Sequence, residues 1–106
     1  MASAIRTGRG VYLLDLVGGV ESAADAVILP LKLEHRGGIE RIVFRCRIAR
    51  VLLDGQLAEQ PAALVERLAP WIAREFEQIR EQSLKSIRSD QRLFELAIDQ
   101  GRPGPF

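Results

Sequence analysis

The segment spanning residues 41–53 constrains the fold more than any other part of the chain, because apolar and mostly cationic side chains alternate over residues 41–48. Continued alternation would place Arg50 on the apolar side, so either a bulge near Ala49 or the end of the sheet is expected there. The apolar set is Ile42, Phe44, Cys46 and Ile48, and the cationic set is Arg41, Arg45 and Arg47. Successive side chains of a strand point to opposite faces of a sheet. The alternation therefore predicts a strand with one dry face and one face rich in arginine.

Two earlier segments predict partners for this strand. Residues 11–17 are apolar on both faces except at Asp15, which is typical of a central strand. Residues 26–34 are ambiguous between a strand and a partly helical segment. The alternation of leucines favours a strand, in which Pro30 is expected at an edge or at a bulge. Gly37 and Gly38 then predict a hairpin turn, since glycine adopts positive φ readily.

The second half of the chain predicts helices. Apolar residues recur there at spacings of three and four, as on one face of an amphipathic helix: Leu64, Leu68, Ile72, Phe76 and Ile79. Pro61 suits a first helical turn, whereas Pro70 would kink the helix or open a second one. Ser89 or Asp90 could cap a last helix that ends near residue 100. The pattern leaves open whether residues 61–100 form one kinked helix, two or three.

These segments together predict an α+β domain, in which a three-stranded antiparallel sheet is followed by a C-terminal helical region packed on one face. A chain of 106 residues suits a single domain, residues 1–106. We expect a flexible arm over residues 1–10, the antiparallel sheet over 11–53, the helical region over 61–100 and a tail over 101–106.

Composition narrows the class of protein. The chain is 47% hydrophobic and 27% charged, with a formal net charge of +1, which is typical of a soluble globular protein. No apolar run approaches the ~18 residues of a membrane span, and the N-terminus lacks the apolar core of a signal peptide. We therefore expect a cytoplasmic protein without membrane contact. Cys46 is the only cysteine, so an internal disulfide is excluded.

Residues that could carry catalysis are few. His35 is the only histidine, and with a single cysteine it cannot complete a structural zinc site within one chain. The glycine pairs do not complete a phosphate-binding motif. We expect no catalytic residue, no cofactor and no metal. A small enzyme using Asp15 or His35 is kept as an alternative, so the chain is not excluded from being an enzyme.

Two surfaces are candidates for binding. The first is the arginine face, consisting of Arg41, Arg45 and Arg47 with Arg36 at the turn and Arg50 at the strand end. Such a surface could track a phosphate backbone, although nucleic-acid-binding sheets usually add stacking aromatic residues. The second lies on the helical region, where the apolar surface exceeds what three strands can cover. Its interface candidates are Trp71, Phe76 and Phe94.

From these surfaces we expect a non-catalytic adaptor or assembly subunit that acts through protein–protein contacts. Its partner would be another protein or a second copy of the chain, giving a homo-oligomer. The alternative is a nucleic-acid-binding module that uses the arginine face. Neither the partner nor the oligomer size follows from the sequence pattern.

Overall fold

The computed structural model describes residues 2–53, 55–88, 94–99 and 105–106. Within these ranges the strands and α-helices are β1 (Ser3–Thr7), β2 (Gly10–Leu16), β3 (Glu21–Ser22), β4 (Ala26–His35), β5 (Arg41–Ala49), α1 (Pro61–Arg74), α2 (Phe76–Arg88) and β6 (Glu95–Ile98). The described strands form one sheet in the order β1-β2-β4-β5-β6, with β3 also paired to β4. The predicted α+β class is confirmed.

Strands β4 and β5 form the centre of the sheet. They are antiparallel, with Leu31 opposite Phe44 and Leu29 opposite Cys46, and all four side chains are fully buried. The alternation predicted for residues 41–48 is confirmed, because the apolar set faces the helices and the arginines face the other side. Burial raises the pKa of the Cys46 thiol to about 12, so it behaves as a core residue.

The two helices cover one face of the sheet. Helix α1 packs on β1 and β2, while α2 packs on β5. Their predicted apolar stripe is buried, each residue being at most 2% exposed: Leu64, Leu68, Ile72, Phe76 and Ile79. Pro61 occupies the first turn as expected. Pro70 lies inside α1 rather than at its end, and the helices instead meet at Glu75, whose backbone is non-helical (φ −93°, ψ 7°).

The sheet is larger than the predicted three antiparallel strands, first because of β1. Residues 3–7 fall in the expected flexible arm but pair with β2, and Ile5 is 3% exposed opposite Tyr12. A tight turn makes this hairpin: the Thr7 hydroxyl donates to the Gly10 carbonyl at 2.9 Å, and Gly10 has φ +115°. The glycines near the N-terminus therefore belong to a hairpin turn between paired strands, not to a flexible arm.

The second addition is β6, which occupies residues predicted to be helical. It runs parallel to β5, and the Arg45 N–H donates to the Phe94 carbonyl at 3.1 Å. Leu96 and Ile98 alternate toward the core, so this segment completes the edge that β5 would otherwise expose. The proposed caps Ser89 and Asp90, like most of the predicted tail, lie outside the described residues.

Pro30 explains why the pairing of β4 with β2 is interrupted, on the side of β4 opposite to β5. The ambiguous segment is a strand, and Pro30 lies in its middle rather than at an edge of the sheet. The Val17 N–H donates to the Pro30 carbonyl at 2.9 Å, but proline has no N–H to return the bond. Strand β2 ends there, and pairing with β4 resumes only in β3. Pro30 thus sits at an interruption of the ladder.

The packing of α1 on the sheet can be tested with two matched isoleucines. Ile72→Ala removes a fully buried side chain and should lower the free energy of unfolding by about 2–5 kcal/mol. Ile87→Ala, at a residue 72% exposed on α2, should change it by less than about 0.5 kcal/mol. Urea denaturation of both variants measures the difference. Equal small effects would contradict the packing described.

Candidate functional site

Three of the arginines predicted for the arginine face do share one side of the sheet, but their guanidinium groups form ion pairs with neighbouring carboxylates. Arg41, Arg45 and Arg47 lie on the side of β5 away from the helices. Arg45 contacts Glu21 at 2.5 Å and Arg47 contacts Asp25 at 2.9 Å, while Arg41 lies 3.9 Å from Glu34. These are exposed ion pairs, each worth up to about 1 kcal/mol.

Charge is balanced over the whole open face of the sheet. Among the described residues on or beside that face, the cations are Arg6, Lys32, Arg41, Arg45 and Arg47, and the carboxylates are Asp15, Glu21, Asp25, Glu34 and Glu95. Glu34 contacts Lys32 at 2.6 Å as well as Arg41, and these cations hold the pKa of Glu34 below its usual value. Over the described residues, the open face therefore carries no excess of positive charge.

The two remaining arginines of the predicted surface have other positions. Strand β5 ends at Ala49, short of the predicted residue 53, and Arg50 begins a 3-10 turn (Arg50–Leu52). Arg50 also holds the β3–β4 turn, because its Nε donates to the Ala23 carbonyl at 2.7 Å and its terminal nitrogen to the Ser22 hydroxyl. Its own N–H donates to the Asp25 carbonyl at 2.9 Å. Arg36 is exposed in the β4–β5 turn. Arg50 is thus a turn-fixing residue rather than part of a shared cationic surface.

A second group of polar side chains joins both hairpins to α2. The Tyr12 hydroxyl donates to Glu40 at 2.5 Å, and Arg80 of α2 contacts the same carboxylate at 3.2 Å. Nearby, Arg9 of the β1–β2 turn contacts Glu77 at 3.0 Å. These contacts lower the pKa of Glu40, for which the Tyr12 hydrogen bond is the largest cause. The residues lie far apart in the sequence, so no local pattern could have revealed the cluster.

His35 and Asp15, the candidates for catalysis, do not converge. His35 lies opposite Tyr12 on the helix side, whereas Asp15 lies opposite Lys32 on the open face. The imidazole packs edge-on against Tyr12, with ring centroids 4.9 Å apart, and its Nε2 lies 2.9 Å from the Arg9 carbonyl. Its Nδ1 is buried and has no hydrogen-bond partner among the described residues.

Close packing around the His35 ring depends on two glycines. A Cβ atom at Gly10 would come within 2.8 Å of Nε2, and one at Gly38 would lie still closer to Nδ1. The ring therefore fills the space between the β1–β2 and β4–β5 turns. This position fits a packing role that joins the two hairpins.

A concave feature lies between β6 and the helices, and we call it the edge groove. It has a volume of about 600 Å³. Its apolar wall consists of Trp71, Ile79, Phe94, Leu96 and Ile98. Its polar side chains are Glu75, Gln78, Gln82 and Glu95, so the described part of the lining carries two carboxylates and no cation. A concave apolar surface with a polar rim is a common form of binding site.

The predicted interface residues divide between this groove and the core. Trp71 and Phe94 line the edge groove and are partly exposed. Phe94 also stacks on the buried Phe44, with ring centroids 5.5 Å apart and planes inclined by 12°. Phe76 is only 2% exposed and packs on Tyr12 at 4.5 Å, so it is a core residue and offers no contact surface.

Backbone groups of β6 complete the site. In the parallel ladder with β5, Arg45 bonds to Phe94 and pairs in register with Glu95. Phe94 and Leu96 therefore direct their backbone groups toward β5, and Glu95 and Ala97 direct theirs away from it. Among the described residues no strand pairs with this outer side. The edge groove thus combines apolar side chains with unpaired strand backbone.

Comparison of the chain with protein-family models, curated proteins and solved structures finds no match in any of the three. Neither described helix is long and apolar enough to cross a membrane. Within the described ranges, His, Cys, Asp and Glu side chains do not gather in groups of three or more that could hold a metal ion. The site is therefore argued from its geometry.

The cluster around Tyr12 generates a prediction for alkaline pH. Burial is the largest cause that raises the pKa of Tyr12 from 10 to about 12, followed by its hydrogen bond to Glu40. Because the pKa of Tyr12 is higher in the folded state than in the unfolded chain, its contribution to the free energy of unfolding is fully present below pH 10. That contribution is lost as pH rises from 10 toward 12, at about 1.4 kcal/mol per pH unit.

Tyr12 is the only tyrosine, so tyrosinate absorbance near 295 nm reports its ionisation alone. We expect a midpoint near 12 in the folded protein and near 10 in the urea-unfolded chain. A folded-state midpoint equal to that of the unfolded chain would contradict the buried, hydrogen-bonded hydroxyl. Glu40→Gln should lower the folded midpoint, because it removes the accepting carboxylate.

Proposed function

We propose that this protein is a non-catalytic adaptor or assembly subunit that acts through protein–protein contacts at the edge groove. The observation that carries the proposal is the combination of an apolar wall with the outward backbone groups of Glu95 and Ala97. A partner that covers the groove can bury apolar surface and pair the strand edge at the same time.

The composition of the groove supports a protein partner. Trp71 and Phe94 are large aromatic side chains, the kind that contributes most to the energy of protein interfaces. The polar side chains lie around them, as the polar rim does around an interface core. A second copy of the chain is one partner of this kind, which would make the protein a homo-oligomer.

The proposal can be tested by photo-crosslinking in cells of the source organism. A photo-reactive phenylalanine analogue replaces Gln78, an exposed residue of the groove. We expect discrete adducts with one or a few proteins, because the side chain would lie within a contact. Mass spectrometry identifies the partner, and an adduct of twice the chain mass identifies a second copy.

The matched control places the same analogue at Ala62, an exposed residue of α1 outside the groove. We expect this variant to give no discrete adduct. The same adducts from both positions, or none from Gln78, would count against a contact at the edge groove.

The alternative, a nucleic-acid-binding module using Arg41, Arg45 and Arg47, is supported by their common face but weakened by their ion pairs. A guanidinium that is already paired with a carboxylate neutralises a phosphate less effectively, so fewer of the counterions condensed on the nucleic acid are released. We therefore expect the wild-type chain and an Arg41→Gln, Arg45→Gln, Arg47→Gln variant to show equally weak binding to a labelled single-stranded oligonucleotide.

Fluorescence anisotropy of the oligonucleotide at several salt concentrations makes this comparison. Wild-type binding that falls steeply as salt rises, and that disappears in the triple variant, would instead support the nucleic-acid function.

A further inference from the structure

Resting on the proposed function, the geometry of the edge groove also indicates what kind of protein segment it takes. We propose that the groove binds an extended segment in which apolar and basic residues alternate, and that this segment pairs with β6 as an added strand. Addition of a peptide strand to a free sheet edge is a general mode of recognition. Three features of the groove carry this inference.

The first feature is the direction of the β6 backbone. The N–H and C=O groups of Glu95 and Ala97 point away from β5, toward the space beside the sheet. An added strand can donate to and accept from these groups without disturbing the β5–β6 ladder. A helix in the same place would leave them unpaired, which costs free energy when water is excluded.

The second feature is the difference between the two sides of the added strand. On the helix side its side chains would enter the groove, where Trp71 and Leu96 belong to an apolar wall with polar side chains around it. On the open side they would lie beside Glu95 and Ala97. Since side chains alternate along a strand, apolar residues would occupy every second position.

The third feature is charge. Among the described residues, the groove is lined by the carboxylates Glu75 and Glu95 and by no cation. Neither carboxylate forms an ion pair with any described residue; Arg45, the register partner of Glu95, pairs with Glu21 instead. A lysine or arginine directly across from Glu95 would form a favourable cross-strand pair. The positions between the apolar residues are therefore expected to be basic.

A synthetic peptide provides the probe: acetyl-Lys-Val-Lys-Leu-Lys-Val-Lys-amide, with a control peptide in which glutamate replaces each lysine. Trp71 is the only tryptophan in the chain and lines the groove, so its fluorescence reports binding. We expect the basic peptide to change this fluorescence saturably and the acidic peptide to bind at least about tenfold more weakly. Equal binding of the two would overturn the charge complementarity.

Backbone methylation of the peptide tests strand addition directly. Two versions carry N-methyl groups on alternate amides, one at the apolar positions and the other at the lysines. Only one edge of an added strand faces β6, so one version should lose binding and the other should retain it. Bound peptide should also slow hydrogen exchange at the amides of Glu95 and Ala97. Equal binding of both methylated peptides would overturn the proposal.

The protein offers a matched pair of variants at Ala97. Ala97→Pro removes an outward N–H while leaving the bonds to β5 intact, and should weaken peptide binding about tenfold. Ala97→Ser keeps that N–H and should bind like the wild type. Thermal unfolding checks that both variants fold. Equal affinity of the two folded variants would exclude pairing at this edge.

A charge-reversal variant tests peptide binding without relying on Ala97→Pro. Glu95→Lys, at an exposed residue, should weaken binding of the basic peptide and strengthen binding of the acidic one. An unchanged preference would overturn the proposal. Adducts at Gln78 without peptide binding would also overturn strand addition, while leaving the proposed protein–protein function standing. Absence of both would remove the function as well.

Discussion

The antiparallel register of β4 and β5 is the constraint on which the rest of the structure depends. It aligns Leu29, Leu31 and Leu33 with Cys46, Phe44 and Ile42, so that both strands turn their apolar sides toward the helices. A slip of one residue would send those side chains to solvent and bring the arginines into the core. Helices α1 and α2 can cover the sheet only because this register gives them one continuous apolar face.

The open face follows from the same register. Once β5 directs its arginines away from the core, they lie beside the carboxylates of β3, β4 and the turn between those two strands. Such surface pairs add little stability, but they balance the charges of the described residues on this face and keep it hydrated. The run of arginines that suggests phosphate binding in the sequence thus has a sufficient explanation within the sheet itself.

The parts of the fold that could be predicted are those with a long periodic pattern. Alternation over residues 41–48 and the helical stripe from Leu64 to Ile79 each have many members, so local sequence decides them. Strand β1 contains a single large buried residue, Ile5, and β6 has only four residues. Around β6, the spacing of Phe94, Ala97 and Ile98 fits a helix as well as a strand. The segment is a strand because its backbone pairs with the edge of β5, a contact that the local sequence does not reveal. The edge groove is formed by segments that are distant in the sequence, so it could not be predicted from a local pattern. Trp71 and Phe94 are the predicted interface residues that line it.

The two edges of the sheet differ in a way that explains why only one resembles a binding site. Beside β1 the described surface has a smaller hollow of about 400 Å³ against α1, and its described lining contains Glu66 and the small residues Ala69, Pro70 and Ala73 but no aromatic side chain. Beside β6, α2 begins after the break at Glu75, and Trp71 and Ile79 line the edge groove together with the strand. This groove, with a volume of about 600 Å³, lies next to a strand backbone that can still form hydrogen bonds. Among the described residues, aromatic surface and unpaired strand backbone therefore occur together at the β6 edge of the sheet.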